Sequence, residues 1–391
     1  MITIANGTVL YGMDLIAKST NILIDDGKII EISDSVMEGE IIDARDCIVC
    51  PSFLNAHTHI GDSIVKDIGD GKPIDEIVKP PNGLKHLALE DSSSDDLIFS
   101  MKKTMEDMLE TGTTHFIDYR EGGLEGVKLL KKASEDIPIN PIILGRDESF
   151  YGEDPVLSKV KIAIKKLLKV CDGIAPSGFG EITDEVAYLI SSQCERQGKI
   201  SSIHAGEYSD IQNDSVSQTG KTEIQRAVDS GFNQLIHITS PLKNDLDLIA
   251  KNNKNIVLCP RSNGAFSVGI APLVEILKYG IKPLIGTDNI MINSPNIFRE
   301  LEYTLKIMKA YYKNYISPKD ILKMATTNVC NLDINDNIQA TVNKSIIQEE
   351  NFAELFIAKK ISKIPYLSLI NRFETKDMKC LVNRDKLIYY N

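Results

Sequence analysis

The sequence predicts an α/β protein: a (β/α)8 TIM barrel carrying a small composite β-sandwich domain formed by both termini. Three observations carry that expectation. Eight short apolar runs alternate with longer amphipathic segments from Pro51 onward, the pattern of repeated βα units. Segments rich in strand formers precede the first of those runs and follow the last. Four of the six histidines fall on the apolar runs, at or near their C-terminal ends, where such a barrel keeps its active site.

The first fifty residues divide into ITIANGTVLYG, NILIDDGKIIEISD and EIIDARDCIV, with NG and DDG as hairpin turns between alternating apolar residues. The eight barrel strands are then FLNAHTHI (53–60), THFIDYRE (114–121), INPIILGRD (139–147), DGIAPSGFG (172–180), ISSIHAGE (200–207), QLIHITS (234–240), NIVLCPRSN (255–263) and KPLIGTDN (282–289). Between them lie stretches such as DDLIFSMKKTMEDMLETG and VLSKVKIAIKKLLKV, whose apolar positions recur at helical spacing. SPKDILKMATTNVCNL adds one more helix, with Ser317 as N-cap and Pro318 at its first position. ELFIAKK, YLSLINRFE and KCLVNRDKLIYY return to strand-like composition. Neither terminal segment is long enough to bury a core alone, so residues 1–50 and 340–391 are expected to join beside a barrel of 51–339.

Composition narrows the partners. A net charge of -11 and a pI near 5.2 argue against nucleic acid and anionic membranes, which require a positive field, and leave a small-molecule substrate. There is no apolar run of spanning length and no basic, apolar leader, so a cytoplasmic location is expected. Seven scattered cysteines do not make a disulfide framework, and the lone CxxC of Cys47 and Cys50 lacks the second pair a structural zinc site requires.

His57 and His59 are one residue apart, so on a strand both imidazoles face the same side. An HxH alone is as readily a core feature as half of a metal site. His204 ends the fifth strand, His237 lies on the sixth and Asp288 ends the eighth in GTDN. Histidines and a carboxylate around an open position are the plan of a catalytic divalent-metal site.

The order HTH, HAGE, LIHITS, CPRSN and GTDN resembles the amidohydrolase superfamily, in particular the branch holding cytosine, S-adenosylhomocysteine and guanine deaminases and the triazine chlorohydrolases. The resemblance covers nearly the whole chain, including the terminal β segments and the helix after the barrel. It implies His57, His59, His204 and Asp288 as metal ligands, Glu207 as proton shuttle, His237 as a hydrogen-bonding partner of the attacking hydroxide, and Asp288 as acceptor of the water's proton. Two-metal members use a lysine or glutamate on the fourth strand. DGIAPSGFG has neither, although Glu181 follows it, so one divalent ion is expected. Zinc is the first expectation, with Fe2+ or Mn2+ also suited to such ligands. Zinc deaminases with HxE and PCxxC are a different plan from the HxxE found here.

Substrate contacts are expected from Arg120, Arg146 and Arg261 at strand ends, either binding an anion or pairing with neighbours such as Glu121 and Asp147. Ser262 and Asn263 of CPRSN are further candidates, as is His86 within the stretch Gly61 to Asp91, which has little secondary-structure pattern and so suits a lid or binding loop. The expected activity is hydrolytic deamination of an amino-substituted N-heterocycle: a nucleobase, nucleoside or pterin-like compound. The alternatives are a cyclic amide, amidine or chlorohydrolase reaction at the same site and, more remotely, a non-catalytic scaffold. The resemblance also allows a homo-oligomer.

Overall fold

The structure is a computed structural model that describes residues 1–79, 82–331 and 346–390. Its strands in chain order are β1 (Ile2–Tyr11), β2 (Ile16–Asp25), β3 (Lys28–Ser33), β4 (Glu40–Asp43), β5 (Cys47–Pro51), β6 (Phe53–His59), β7 (Thr113–Arg120), β8 (Asn140–Gly145), β9 (Gly173–Ile174), β10 (Ile200–Ala205), β11 (Gln234–His237), β12 (Asn255–Leu258), β13 (Leu284–Ile285), β14 (Asp288–Asn289), β15 (Glu354–Lys359), β16 (Met378–Asn383) and β17 (Lys386–Tyr389). The expected domain boundary at 339/340 lies outside the described residues.

The protein is mixed α/β. A curled parallel sheet runs in the order β13-β12-β11-β10-β9-β8-β7-β6-β14. β13 and β14 sit at opposite ends of that order yet are separated in the chain only by Gly286 and Thr287, so the expected eighth strand bonds β12 with one half and β6 with the other. Gly286 is required there: a Cβ would lie 2.6 Å from the backbone nitrogen of His57. Helices follow the strands and cover the outer face, as with Ser94–Glu110, where the Ser93 hydroxyl accepts the Asp96 amide at 3.2 Å.

A second sheet, β17-β16-β15-β5-β1-β2-β3 with β4 beside β1, draws strands from both termini. β15 pairs antiparallel with β5, the strand that leads into β6. Phe53 of β6 packs edge-on against Phe356 of β15 at 5.0 Å and Phe298 of helix Ile297–Ala310 at 4.8 Å, so one aromatic knot ties this sheet to the base of the parallel one.

Several sequence expectations change in detail. Asn6-Gly7 is a register irregularity inside β1 rather than a turn. Asp26 and Gly27, both with positive φ, form the two-residue hairpin between β2 and β3. YLSLINRFE is helical over Pro365–Arg372: Pro365 occupies the first position, and Tyr366, Leu369, Ile370 and Phe373 recur at helical spacing. The fourth barrel strand shrinks to Gly173–Ile174, since Pro176 has no amide to donate. CPRSN opens helix Pro260–Ala265. The stretch from Gly61 to Asp91 contains a 3-10 turn (Ile60–Val65) and short helices at Ile74–Val78 and Leu84–Asp91. No helix among the described residues is long and apolar enough to cross a membrane.

Candidate active site

Five side chains converge at the C-terminal ends of the parallel strands. Asp288 Oδ1 lies 3.1 Å from His57 Nε2 and 3.5 Å from His59 Nε2. The His204 ring centroid is 5.1 Å from that of His57 and 5.3 Å from that of His237. Donor atoms of His57, His59 and His204 lie within 4.8 Å of one another, and so do those of His57, His237 and Asp288. The two sets share His57 and are one cluster, which His237 joins as closely as the others.

The backbone is bent to achieve this. His237, Ile238 and Asp288 all have positive φ, at 77°, 48° and 60°. Such conformations cost non-glycine residues about 1–3 kcal/mol each and concentrate where function demands a particular direction.

Hydrogen bonds fix three of the imidazole tautomers. His59 Nδ1–H donates to Glu121 Oε1 (3.0 Å), His204 Nδ1–H to the Ser177 carbonyl (3.1 Å) and His237 Nδ1–H to Asn263 Oδ1 (2.9 Å). Each Nε2 therefore turns its lone pair inward. His57 Nδ1 is buried without a hydrogen-bond partner. Burial pushes His57, His59 and His204 toward the neutral form: His57 downward, His59 to about 3 with help from Lys85, and His204 well below its ordinary value. Burial would raise Asp288, but the hydrogen bond to His57 and the adjacent imidazoles hold it well below the usual carboxylate range. Ser262 Oγ–H donates to Asp288 Oδ2 at 2.6 Å, which leaves Oδ1 aimed at the histidines. Neutral imidazole lone pairs gathered around a carboxylate oxygen fit a divalent cation.

Glu207 follows β10 in the HAGE turn, and its Oε1 is 3.6 Å from His237 Nε2. Burial raises its carboxyl, and the charges of Asp288, Asp75 and Glu181 raise it further against the pull of His237. A carboxyl raised in this way holds a proton more readily than a free one, as a proton-transfer group must.

These residues line a cavity of about 150 Å3. His59, His204, Glu207, His237 and Asp288 form its floor, while Asp75, Val78, Lys85 and His86 come from the two short helices above. Tyr208 Oη–H donates to Asp75 Oδ1 across the mouth at 3.2 Å. Glu181 and Glu223 add two more carboxylates to the wall.

Of the expected substrate contacts, His86 and Arg146 line the cavity. His86 Nε2 is 3.0 Å from the Val78 carbonyl, and burial together with Lys85 lowers its pKa to about 4. Arg120 is placed elsewhere: its guanidinium pairs with Glu121 Oε2 at 2.8 Å and lies against Gly61, where any Cβ would collide with it. Arg261 points outward from the helix after β12, pairs with the buried Glu300 at 3.4 Å and borders a separate surface groove with Arg299 and Lys306. Asn263 is fully buried behind His237, with its amide nitrogen spent on Thr239. These three hold neighbouring side chains in place.

Sequence reasoning missed Lys85 and the importance of Glu121. Lys85 stands beside His86 on a segment read as loop, and only the helix from Leu84 shows that it turns inward, where it is 3% exposed. Burial alone would raise Glu121, but Lys85 and Arg146 hold its carboxyl well below the usual range.

The family profile for the amidohydrolase family matches residues 48–332. The chain belongs to the amidohydrolase family. A relative described as a putative aminohydrolase, from Methanothermobacter thermautotrophicus, is 45% identical over 389 residues, 99% of each chain. A 5-methylthioadenosine/S-adenosylhomocysteine deaminase from Pyrococcus abyssi is 24% identical over 344 residues, covering 84% of this chain and 79% of the relative. Among solved structures, an atrazine chlorohydrolase from Arthrobacter aurescens complexed with zinc superposes with a TM-score of 0.84 at 17% identity, covering 100% of this chain and 96% of that one. A carbon–nitrogen hydrolase is thus the coarse activity, and the curled parallel sheet is consistent with the family's barrel fold.

Proposed function

We propose that this protein is a hydrolytic deaminase of a small, uncharged, amino-substituted N-heterocycle, using one divalent metal ion held by His57, His59, His204 and Asp288. The observation that carries the reading is the approach of Glu207 to His237, at 3.6 Å, within the cavity that the histidine cluster also lines. It supplies a proton-transfer pair beside a cation site, which amine release requires. Zinc is the ion we favour, on the zinc held by the similar chlorohydrolase structure and on the imidazole-rich donor set.

A divalent ion held there by His57, His59, His204 and Asp288 would supply the positive charge that makes water a competent nucleophile at neutral pH. The chain's own groups do the rest. Asp288 Oδ1 accepts the proton of the attacking water. His237, its Nδ1–H committed to Asn263, keeps Nε2 available to orient that water. Glu207 carries a proton to the ring nitrogen and then to the departing amine. The balance is one water consumed and one ammonia released, with C–NH2 becoming C=O.

Substrate polarity follows from the charges of the wall. Arg146 and Lys85 are both committed to Glu121, while Asp75, Glu181, Glu207 and Glu223 offer acceptors. A donor-rich neutral ring suits this wall better than a carboxylate or phosphate. The cavity of about 150 Å3 lies below the roughly 300–1,000 Å3 common for drug-sized ligands, which favours a free base over a nucleoside. We also read residues 1–50 and 340–391 as one structural unit bracing a closed (β/α)8 barrel of 51–339. Incubation with aminopyrimidines, aminopurines and aminopterins tests the function. Ammonia release supports it; halide release or ring opening from related compounds moves the assignment to the alternative hydrolytic reactions.

A further inference from the structure

Glu121 is buried at the end of β7 and touches four cationic or donor groups. Oε1 receives His59 Nδ1–H at 3.0 Å, Lys85 Nζ at 2.6 Å and Arg146 Nη2 at 3.0 Å, and Oε2 receives Arg120 Nη2 at 2.8 Å. Its partners extend to the remaining strand ends. Arg146 Nη1 donates to Ser177 Oγ at 3.1 Å, and the Ser177 carbonyl accepts His204 Nδ1–H. Lys85 Nζ also lies 3.5 Å from Asp62 Oδ2, which accepts Asn289 Nδ2–H at 2.7 Å beside Asp288. The routes from this carboxylate through His59, Arg146 with Ser177, and Lys85 with Asp62 therefore end on, or next to, a proposed metal ligand.

We propose that Glu121, with Lys85 and Arg146, is a positioning hub that fixes the direction of the His59 and His204 lone pairs, and that Lys85 couples this hub to the short helix roofing the cavity. The inference rests on the metal reading above. A carboxylate behind a ligating histidine locks its tautomer and ring angle and raises its basicity, and losing such a partner typically costs 10–100-fold in metal affinity. Three cations on one carboxylate, Lys85, Arg146 and Arg120, are more than a single ligand's orientation requires. The Lys85 contact is explained if the cavity roof must be seated before the ligand set is complete.

The test is zinc affinity by competition with a chromophoric chelator, measured for wild type, Glu121→Gln, Lys85→Met and the double variant, alongside thermal midpoints. Glu121→Gln is expected to weaken zinc binding 10–100-fold and to lower the midpoint, because it takes a carboxylate from both the buried Lys85 and the buried Arg146. The double variant removes the Lys85 ammonium but leaves Arg146 without that carboxylate and takes a cation from buried Asp62, so it should recover the midpoint at most in part while zinc binding stays weak. Recovery of zinc binding in the double variant would mean that Glu121 only balances the Lys85 charge, and the hub fails. Wild-type zinc affinity in Glu121→Gln, with wild type itself binding tightly, also overturns it. A wild-type chain that takes up no divalent ion overturns instead the metal reading, and this proposal with it.

Discussion

Replacing Arg261 with methionine separates a structural ion pair from a substrate contact. Glu300 is fully buried, its Oε1 3.4 Å from Arg261 Nη1 and its Oε2 accepting the Arg261 amide at 3.2 Å. Burial pushes its carboxyl from 4.5 up to about 8 even with the guanidinium present. The folded chain therefore retains a proton that the unfolded chain releases, so stability from this group is greatest below about pH 4.5 and declines as pH rises to 8. Removing the guanidinium raises the carboxyl further. Near pH 6 the group is protonated in both variants, and the loss should stay under about 1 kcal/mol. Near pH 9 wild type holds an ion pair while the variant, its carboxyl raised further, stays largely protonated; one unit above a pKa of about 8 the extra loss is limited to about 1.4 kcal/mol, so the total should approach about 2 kcal/mol. In a chain of this size that is a fall of roughly 2–4 °C, readable by calorimetry at the two pH values. KM should not move. An equal loss at both pH values, or a tenfold rise in KM with an unchanged midpoint, would refute the reasoning.

Three further outcomes follow from the site. Glu207→Gln should keep near-stoichiometric metal by elemental analysis and lose roughly 100-fold or more in turnover, as removal of a general acid–base group does; loss of metal would make Glu207 a ligand. Asp288→Ala should abolish turnover and reduce metal content, and an active, fully metallated variant would remove it from both roles. Asn263→Ala should lower kcat roughly 10–100-fold with KM and metal content nearly unchanged, since it frees the His237 tautomer without touching substrate; a change confined to KM would return Asn263 to the substrate contacts.

Much of this architecture was legible in the residues. The alternation of apolar runs and amphipathic segments located the parallel strands, because strand and helix impose different periods on the chain. HTH, HAGE, LIHITS and GTDN singled out the convergent histidines, Glu207 and Asp288. What escaped depended on tertiary contact. Pro176 and Pro260 ended strands that apolar composition extended, and the helical spacing of Tyr366, Leu369 and Ile370 was hidden by aromatic and branched residues that also favour strands. Arg120, Arg146 and Arg261 read alike in one dimension, yet only packing decides which of them meets the cavity. Lys85 had no signal of its own, since an inward-turned lysine is recognisable only from the carboxylates that receive it.

The central claim is hydrolytic deamination at a single metal. Its most direct test is ammonia release from a panel of uncharged amino-heterocycles by protein of measured metal content, before and after chelation. The account predicts one bound divalent ion per chain and one ammonia per substrate consumed, with activity lost on chelation and restored by zinc. A verified metalloprotein that releases no ammonia from any of them, or a chelated protein that keeps full activity, would contradict it.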